Sequence, residues 1–342
     1  MIANHHKYSG LLIAALLFFA GGHSDAASWR INNNANRQAH FTDINAAMSS
    51  SKVQDGDTLY LDPGCNITGQ QNVTKQVTIA GPGYFLTDAQ DEATISGTLY
   101  LKAANIKMTG VQTTALVYLG AINIILERCK LGGVRSEGSA PYATSRQCFF
   151  LDANVSGQGN TSANTAYWTI ENCIIIRSSG WDPIANLYYP TIRNNYLRSD
   201  YQDSAGFAYI NNGTVVNNIF LHTKNMSKGG RPYSVADCVI TNNVFHCDIQ
   251  SSYPDNVFIS TNNEDVIFAL EGSNDQLYQL KEGCPAVGAA TDGGDCGPSG
   301  GLFPYVCSGF PLGVPRLVSG TVATSPQNGQ VSVLQQVTIQ NQ

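Results

Sequence analysis

The chain has 342 residues, of which only 13% are charged, with a formal net charge of −6 and a pI near 5.4. This acidic balance argues against nucleic acid as a partner, because proteins that bind nucleic acid present a basic face. Beyond residue 20 no apolar stretch is long enough to cross a membrane as a helix.

The first 26 residues have the pattern of a secretory signal peptide. Lys7 gives a basic start, and the apolar run 11–20 is too short to span a bilayer. Ser24 and Ala26 are the small residues that precede a cleavage site. We therefore expect the mature protein to be secreted or held at the cell surface. In that compartment the nine cysteines favour disulfide bonds, with one thiol left unpaired.

A six-residue phrase recurs through the central part of the chain: apolar, any residue, Asn-like, Asn or Cys, any residue, apolar. Its five clear copies are 126–131, 170–175, 192–197, 215–220 and 240–245. The steps between copies are 44, 22, 23 and 25 residues, so the first step spans two periods or one period with a long insertion. Short β-branched strands repeating at about this length are typical of a β-solenoid. We predict about nine coils between Leu59 and roughly residue 268.

The asparagines of the phrase have a structural explanation. Asparagine tolerates the left-handed backbone of a tight corner, and stacked amides can hydrogen-bond along the axis of a solenoid. We therefore expect Asn195, Asn218 and Asn243 to stack. Cys129 and Cys173 occupy the same column, and on adjacent coils they would come within disulfide range. We also expect a local disulfide bond between Cys238 and Cys247.

Two further motifs flank the repeat. Residues 41–48 and 55–64 precede it, and Cys284–Gly288 and Thr291–Gly297 follow it. In this order, over about residues 38–297, the motifs resemble the pectate-lyase-like superfamily of right-handed parallel β-helices. The resemblance implies an all-β solenoid with a short N-terminal capping helix. Cys284 and Cys296 depart from the closing phrase of that family, which suggests a bond between them.

These motifs divide the chain into three parts. We expect residues 1–26 to be the signal peptide and residues 27–297 to form the β-helix with its N-terminal cap. Residues 298–342 are rich in Gly and Pro at first, and we expect them to form a tail that packs on an exposed strand end.

Polar loops follow the strand after each Asn corner. Because the coils stack, these loops adjoin, and the resemblance implies a polysaccharide groove beside them. The predicted carbohydrate-binding residues in and near these loops are Arg177, Trp181, Arg198, Tyr201, His222 and Tyr253.

A lyase that acts on a uronic-acid polymer must neutralise the sugar carboxylate and remove the adjacent C5 proton. Calcium bound by carboxylates can do the first, and a Lys or Arg side chain can do the second. The candidates are Asp200, Asp203 and Asp237 for calcium, and Lys224, Lys228 and Arg231 for the base and the carboxylate clamp.

The sequence leaves two functions open. The R-x-P-x-x-R phrase of pectate lyases and the paired-aspartate motifs of polygalacturonases are both absent. The loop charges can also neutralise one another through Asp182, Asp200, Asp203 and Asp248. The first hypothesis is a secreted, monomeric β-helix that binds a polysaccharide or surface glycan without assured catalysis. The alternative is a polysaccharide lyase acting on a uronic-acid-containing polymer.

Overall fold

The computed structural model describes residues 26–86, 92–157, 166–178, 182–200, 206–222, 232–246, 252–309, 315–322 and 333–339. Three long sheets, each entirely parallel, enclose one apolar core. This confirms the predicted right-handed parallel β-helix. Among the described residues no helix is long and apolar enough to cross a membrane.

Sheet A contains ten strands. They are β1 (Ser28–Ile31), β2 (Thr58–Leu61), β5 (Thr78–Ala80), β8 (Lys107–Thr109), β11 (Ile125–Glu127), β14 (Thr144–Arg146), β17 (Thr169–Glu171), β20 (Thr191–Arg193), β23 (Thr214–Val216) and β26 (Val239–Thr241). The strands from β2 onward confirm the expectation of about nine coils.

Sheet B also contains ten strands. They are β3 (Asn66–Ile67), β6 (Thr94–Ile95), β9 (Gln112–Thr113), β12 (Lys130–Leu131), β15 (Phe149–Leu151), β18 (Ile174–Arg177), β21 (Tyr196–Ser199), β24 (Ile219–His222), β27 (Val244–Phe245) and β28 (Val257–Phe258).

Sheet C contains eight strands. They are β4 (Gln71–Val73), β7 (Leu99–Leu101), β10 (Val117–Leu119), β13 (Val134–Ser136), β16 (Val155–Ser156), β19 (Ile184–Tyr188), β22 (Phe207–Asn211) and β25 (Pro232–Tyr233). Each complete coil runs from sheet A through sheet B to sheet C. We call the three turns of a coil the AB, BC and CA corners.

The remaining elements lie outside the sheets. One α-helix, α1 (Ile44–Ser49), begins at Asp43, whose side chain accepts a hydrogen bond from the Ala46 amide. Because Ile44, Ala47 and Met48 are buried in the solenoid core, α1 caps its N-terminal end as expected. The short 3₁₀ helices are Ala35–Arg37, Glu264–Val266, Asn274–Tyr278 and Cys307–Gly309, and an antiparallel pair joins β29 (Pro315–Val322) to β30 (Val333–Ile339).

The AB corner contains the predicted ladder of asparagines. Asn195, Asn218 and Asn243 are fully buried, and each donates its side-chain amide to the Oδ1 of the next member at 2.9 Å. The last acceptor is Asn256, which the repeat phrase did not identify. The residue before each of the first three ladder members has a positive φ of 53° to 59°. The first Asn of each pair therefore makes the turn, and the second fills the interior.

Thiols occupy the earlier coils of the same column. Cys148 lies between Cys129 and Cys173, so the 44-residue step of the repeat spans two coils. Cys129 and Cys173 are thus not neighbours, and the three thiols contact backbone carbonyl oxygens instead. All eight cysteines in the described part of the chain are free, so the Cys129–Cys173 and Cys284–Cys296 bonds are not formed. Cys247, and with it the Cys238–Cys247 pairing, lies outside the described residues.

A C-terminal covering segment, residues 264–309, lies against the outer face of sheet B. It buries the outward side chains of that sheet, including Phe149, Ile174 and Tyr196, in a second apolar cluster. Outward amides of the AB corner hold it, because Asn172 donates to the carbonyl oxygens of residues 298 and 300. The predicted division at residue 297 falls inside this segment.

Candidate functional site

The outer face of sheet C carries a continuous row of outward side chains, one per coil. Strand register places these residues side by side: Asn72, Tyr100, Tyr118, Arg135, Ser156, Ala185, Ala208 and Tyr233. The first half of the row is aromatic and basic, and Arg135 is exposed. The small residues of the second half are buried. The first half therefore combines accessible polar side chains on consecutive coils, whereas Tyr233 is the exposed member of the second half.

Strand alternation explains how the two tyrosines of the first half come to face outward. In β7 and β10 the flanking leucines and valine point into the core, so Tyr100 and Tyr118 point out. Their rings stack, with centroids 4.9 Å apart and an interplanar angle of 9°. Lys102 places its ammonium 4.9 Å from the Tyr100 ring centroid. The ring faces are thus largely occupied, and the ring edges and hydroxyl groups remain for a ligand.

Two arginines lie two coils apart near the BC corner that borders this face. Arg135 extends the tyrosine row, and Arg177 ends β18 and is half-buried. Burial lowers the pKa of Arg177, and the like charge of Arg135 lowers it further. The carboxylates of Asp152 and Asp182 act in the opposite direction. Asp152 is engaged locally, because it accepts hydrogen bonds from the amide and hydroxyl of Ser178.

Polar atoms without partners mark the end of sheet B beside this corner. Arg177 and Ser199 are register neighbours on β18 and β21. The Arg177 Nε and the Ser199 Oγ are both buried and have no hydrogen-bond partner in the described part of the chain. Buried groups of this kind usually find a partner, so a polar ligand or water at this corner would satisfy them. His222 is the next residue in this register, and only its backbone is described.

Arg198, predicted to bind carbohydrate, is instead committed to the covering segment. Its guanidinium pairs with Asp200 at 2.9 Å and with Glu264 at 2.9 Å. Tyr196 donates its hydroxyl to the same Glu264 carboxylate. Arg198 and Asp200 therefore hold the covering segment against sheet B, and Asp200 is not placed as an open calcium ligand.

The proposed calcium ligands are not brought together. Asp200 follows β21 at the BC corner, whereas Asp237 is exposed at the CA corner on another side of the coil. Asp203 lies outside the described residues. Within the described ranges no group of three or more His, Cys, Asp or Glu side chains is placed to hold a metal ion.

Tyr253 is also displaced from the predicted site. It packs against the core at the C-terminal end of the solenoid, near Cys238, and burial raises the pKa of its hydroxyl. The other predicted residues lie outside the described part of the chain: Trp181, Tyr201, Lys224, Lys228 and Arg231. Of the predicted carbohydrate-binding set, the structure thus places Arg177 at the candidate face.

Sequence reasoning missed four residues of this face: Tyr100, Lys102, Tyr118 and Arg135. The available signal was the alternation in Leu-Tyr-Leu and Val-Tyr-Leu, which puts one tyrosine outward on each of two adjacent coils. The prediction instead concentrated on long polar loops, where charge is most visible.

Comparison with known proteins adds little beyond the architecture. No family model matches the chain, and no curated protein matches it. Among solved structures it is similar to a pectate lyase from Bacillus sp. N165 in complex with trigalacturonate, at 12% identity and a TM-score of 0.44. That match covers 75% of this chain and 90% of the other. A likeness this distant does not bear on ligand or activity. The chain is a right-handed parallel β-helix on the strength of its own three sheets.

Proposed function

We propose that this protein binds acidic carbohydrate outside the cell, on the outer face of sheet C. The observation that supports this most is the run of Tyr100, Tyr118 and Arg135 on consecutive coils, with Arg177 beside it. Guanidinium groups pair with carboxylates in a directional, often bidentate way, and tyrosine hydroxyls exchange hydrogen bonds with sugar hydroxyls. An acidic sugar presents both kinds of group.

Cationic side chains on this face provide partners for an acid group. The like charge of Arg135 lowers the pKa of Arg177, and partial burial of Arg177 reduces the screening of its charge by solvent. A uronate carboxylate bound at Arg135 would pair with its exposed guanidinium and offset its charge. Lys102 adds a third positive charge at the far end of the tyrosine pair. Lys102, Arg135 and Arg177 thus lie along this face together with the carboxylates of Asp152, Asp182 and Glu137, so the cations are local partners for an acid group rather than a net positive field.

The mode of binding follows from the ring geometry. Tyr100 and Tyr118 stack on one another, so a sugar ring does not lie flat between them. Contact is made instead through hydroxyl groups and ring edges, with the cations selecting for acid groups. This arrangement binds without needing a base or a metal ion, which is why binding is favoured over lyase action.

The experiment compares polygalacturonate, an acidic polymer, with a neutral glucan by affinity electrophoresis of the mature protein. Arg135→Ala is expected to weaken retardation by polygalacturonate by roughly tenfold, the loss of about one charge-assisted hydrogen bond. Lys52→Ala is the matched control, since it removes one exposed positive charge at the N-terminal end of the solenoid. It is expected to bind like the unmodified protein.

Two results would count against the proposal. Equal weakening in Arg135→Ala and Lys52→Ala would show that binding depends only on the net charge of the protein. No retardation of the unmodified protein would show that it does not bind polygalacturonate. New ultraviolet absorbance from an unsaturated product would establish the lyase alternative. Sequencing the N-terminus of the protein recovered from the medium tests export and cleavage after Ala26.

A further inference from the structure

An exposed aromatic row, separate from the candidate site, runs along the CA corner. Tyr142, Tyr167 and Tyr189 hold the same position on three successive coils and are 50%, 48% and 40% exposed. Their ring centroids are 5.0 Å and 5.3 Å apart, with interplanar angles of 7° and 12°. The row is thus a regular stack that follows the axis of the solenoid.

The backbone beneath this row favours a different residue. The three tyrosines have φ values of 59°, 62° and 50°, in the left-handed region that bulky side chains avoid. At the same corner position the coils on either side use Asn105, Asn123 and Asn212, the residue type that suits this conformation. The chain therefore carries tyrosine on three consecutive coils where asparagine would fit with less strain. Such strain is often found where a surface has a function.

The row and the threonines beside it are uncharged and rich in hydrogen-bonding groups, and the nearby Arg146 and Arg193 are paired with Glu171. Two residues after each tyrosine, a threonine points outward from sheet A, and Thr144, Thr169 and Thr191 lie in register. Next to the row, Asn123 donates its amide to the Oδ1 of Asn105 at 3.1 Å. Because the stacked rings occupy each other's faces, the row presents edges and hydroxyl groups. It differs from the face of sheet C, which presents Lys102 and Arg135 as exposed cations that can pair with an acid group.

We propose that this Tyr–Thr row binds a second ligand, an extended neutral polysaccharide that lies along the axis of the solenoid. In such a chain each sugar advances by a distance similar to the ring spacing, so successive sugars meet successive Tyr–Thr pairs. The rings are already ordered by stacking, so binding immobilises few additional side chains. Several equivalent weak contacts along one chain then add up.

The test replaces Tyr142, Tyr167 and Tyr189 together by Asn, the residue that the adjacent coils carry at this position. The triple variant is expected to fold, which thermal unfolding checks. Affinity electrophoresis in soluble β-glucan, xylan, mannan and glycol chitin is expected to retard the unmodified protein in at least one polymer. In that polymer the triple Asn variant should bind roughly tenfold more weakly or worse. A triple Phe variant should also be weakened, because it keeps the rings and loses the hydroxyl groups.

Each outcome decides the proposal. No retardation in any neutral polymer, or equal retardation of the triple Asn variant, overturns it, and full binding by the Phe variant overturns the hydroxyl contact. Sedimentation velocity tests whether a second copy of the chain covers the row instead. If the protein self-associates, the Asn substitutions abolish this, and no polymer binds, then the row is a protein interface. Polygalacturonate binding is expected to be unchanged in the triple Asn variant, so failure here and failure of the sheet C site are distinguishable.

Discussion

The outer faces of sheets B and C are built by the same strand alternation but carry different side chains. On sheet B the outward residues are mainly apolar, as with Phe149 and Ile219, and the covering segment buries them. On the first half of the row on sheet C they are Tyr100, Tyr118 and Arg135, and these remain at least partly exposed. In a solenoid, outward side chains therefore decide which face adds stability and which can bind a ligand.

The largest effect is expected when an aromatic side chain that anchors the covering segment to sheet B is removed. Phe268 is fully buried, with its ring centroid 4.6 Å from Tyr196 and 5.6 Å from Tyr278. Phe268→Ala is expected to lower the free energy of unfolding by about 3–5 kcal/mol, measured by denaturant titration. Tyr118→Ala on the open face is the matched aromatic deletion, and equal losses in the two variants would contradict the comparison.

The next largest effect on stability is expected from a comparison of two arginine substitutions, one at the covering segment and one at the BC corner. Arg198→Met removes the ion pairs to Asp200 and Glu264, and partial exposure limits the expected loss of stability to about 1–3 kcal/mol. Arg177→Met removes a guanidinium whose Nε has no partner and keeps an apolar stem, so stability should change by less than about 1 kcal/mol. Binding of polygalacturonate should fall in Arg177→Met alone. Loss of binding in Arg198→Met, without loss in Arg177→Met, would mean that Arg198 contacts the ligand.

The covering segment also predicts a dependence of stability on pH. Asp275 is buried, accepts hydrogen bonds from the Tyr305 hydroxyl and the Ser308 amide, and has a pKa raised by burial above its ordinary 3.8. A raised pKa means that the folded state keeps a proton that the unfolded state releases. This contribution to stability is complete below the ordinary pKa and is lost as the pH rises through the folded pKa.

Asp275→Asn removes this titration. The difference in free energy of unfolding between the original protein and Asp275→Asn is therefore expected to shift against the original protein as the pH rises from about 4 to 7. Chemical denaturation at several pH values measures it. A constant difference across that range would show that the folded structure does not perturb Asp275.

The smallest effect on stability is expected from a substitution on the outer face of sheet C. Lys102→Ala removes a cation over the Tyr100 ring at an exposed position, and it should change stability by no more than about 0.5 kcal/mol. Binding of polygalacturonate should weaken, but less than in Arg135→Ala, because Lys102 lies at the end of the row. A loss of stability without a loss of binding would make the residue part of the scaffold.

The sequence predicted the solenoid well because its evidence is local and repeated. Asn195, Asn218 and Asn243 recur at the coil length, and their stacking follows from that spacing alone. The coil that carries Cys148 has Ser145 where the repeat phrase requires an apolar residue, so the phrase did not identify it and Cys129 and Cys173 could be taken as neighbours.

The site was harder to predict because its determinants are not local. Arg198 pairs with Asp200, which the sequence offered as a neutralising partner, but also with Glu264 on the covering segment, and nothing near Arg198 in the sequence indicates that second partner. Asp200 and Asp237 belong to different corners, which only the positions of the strands reveal. Tyr118 and Arg135 are adjacent through strand register rather than through sequence.

The most direct test of the sheet C site is hydroxyl-radical footprinting of the protein alone and saturated with galacturonate oligomers. Tyr100 and Tyr118 are expected to be protected by the ligand, whereas Tyr142, exposed at the CA corner, should react equally in both states. Protection of Tyr142 without protection of Tyr100 and Tyr118, or no protection of any of the three, would contradict an acidic-carbohydrate site on sheet C.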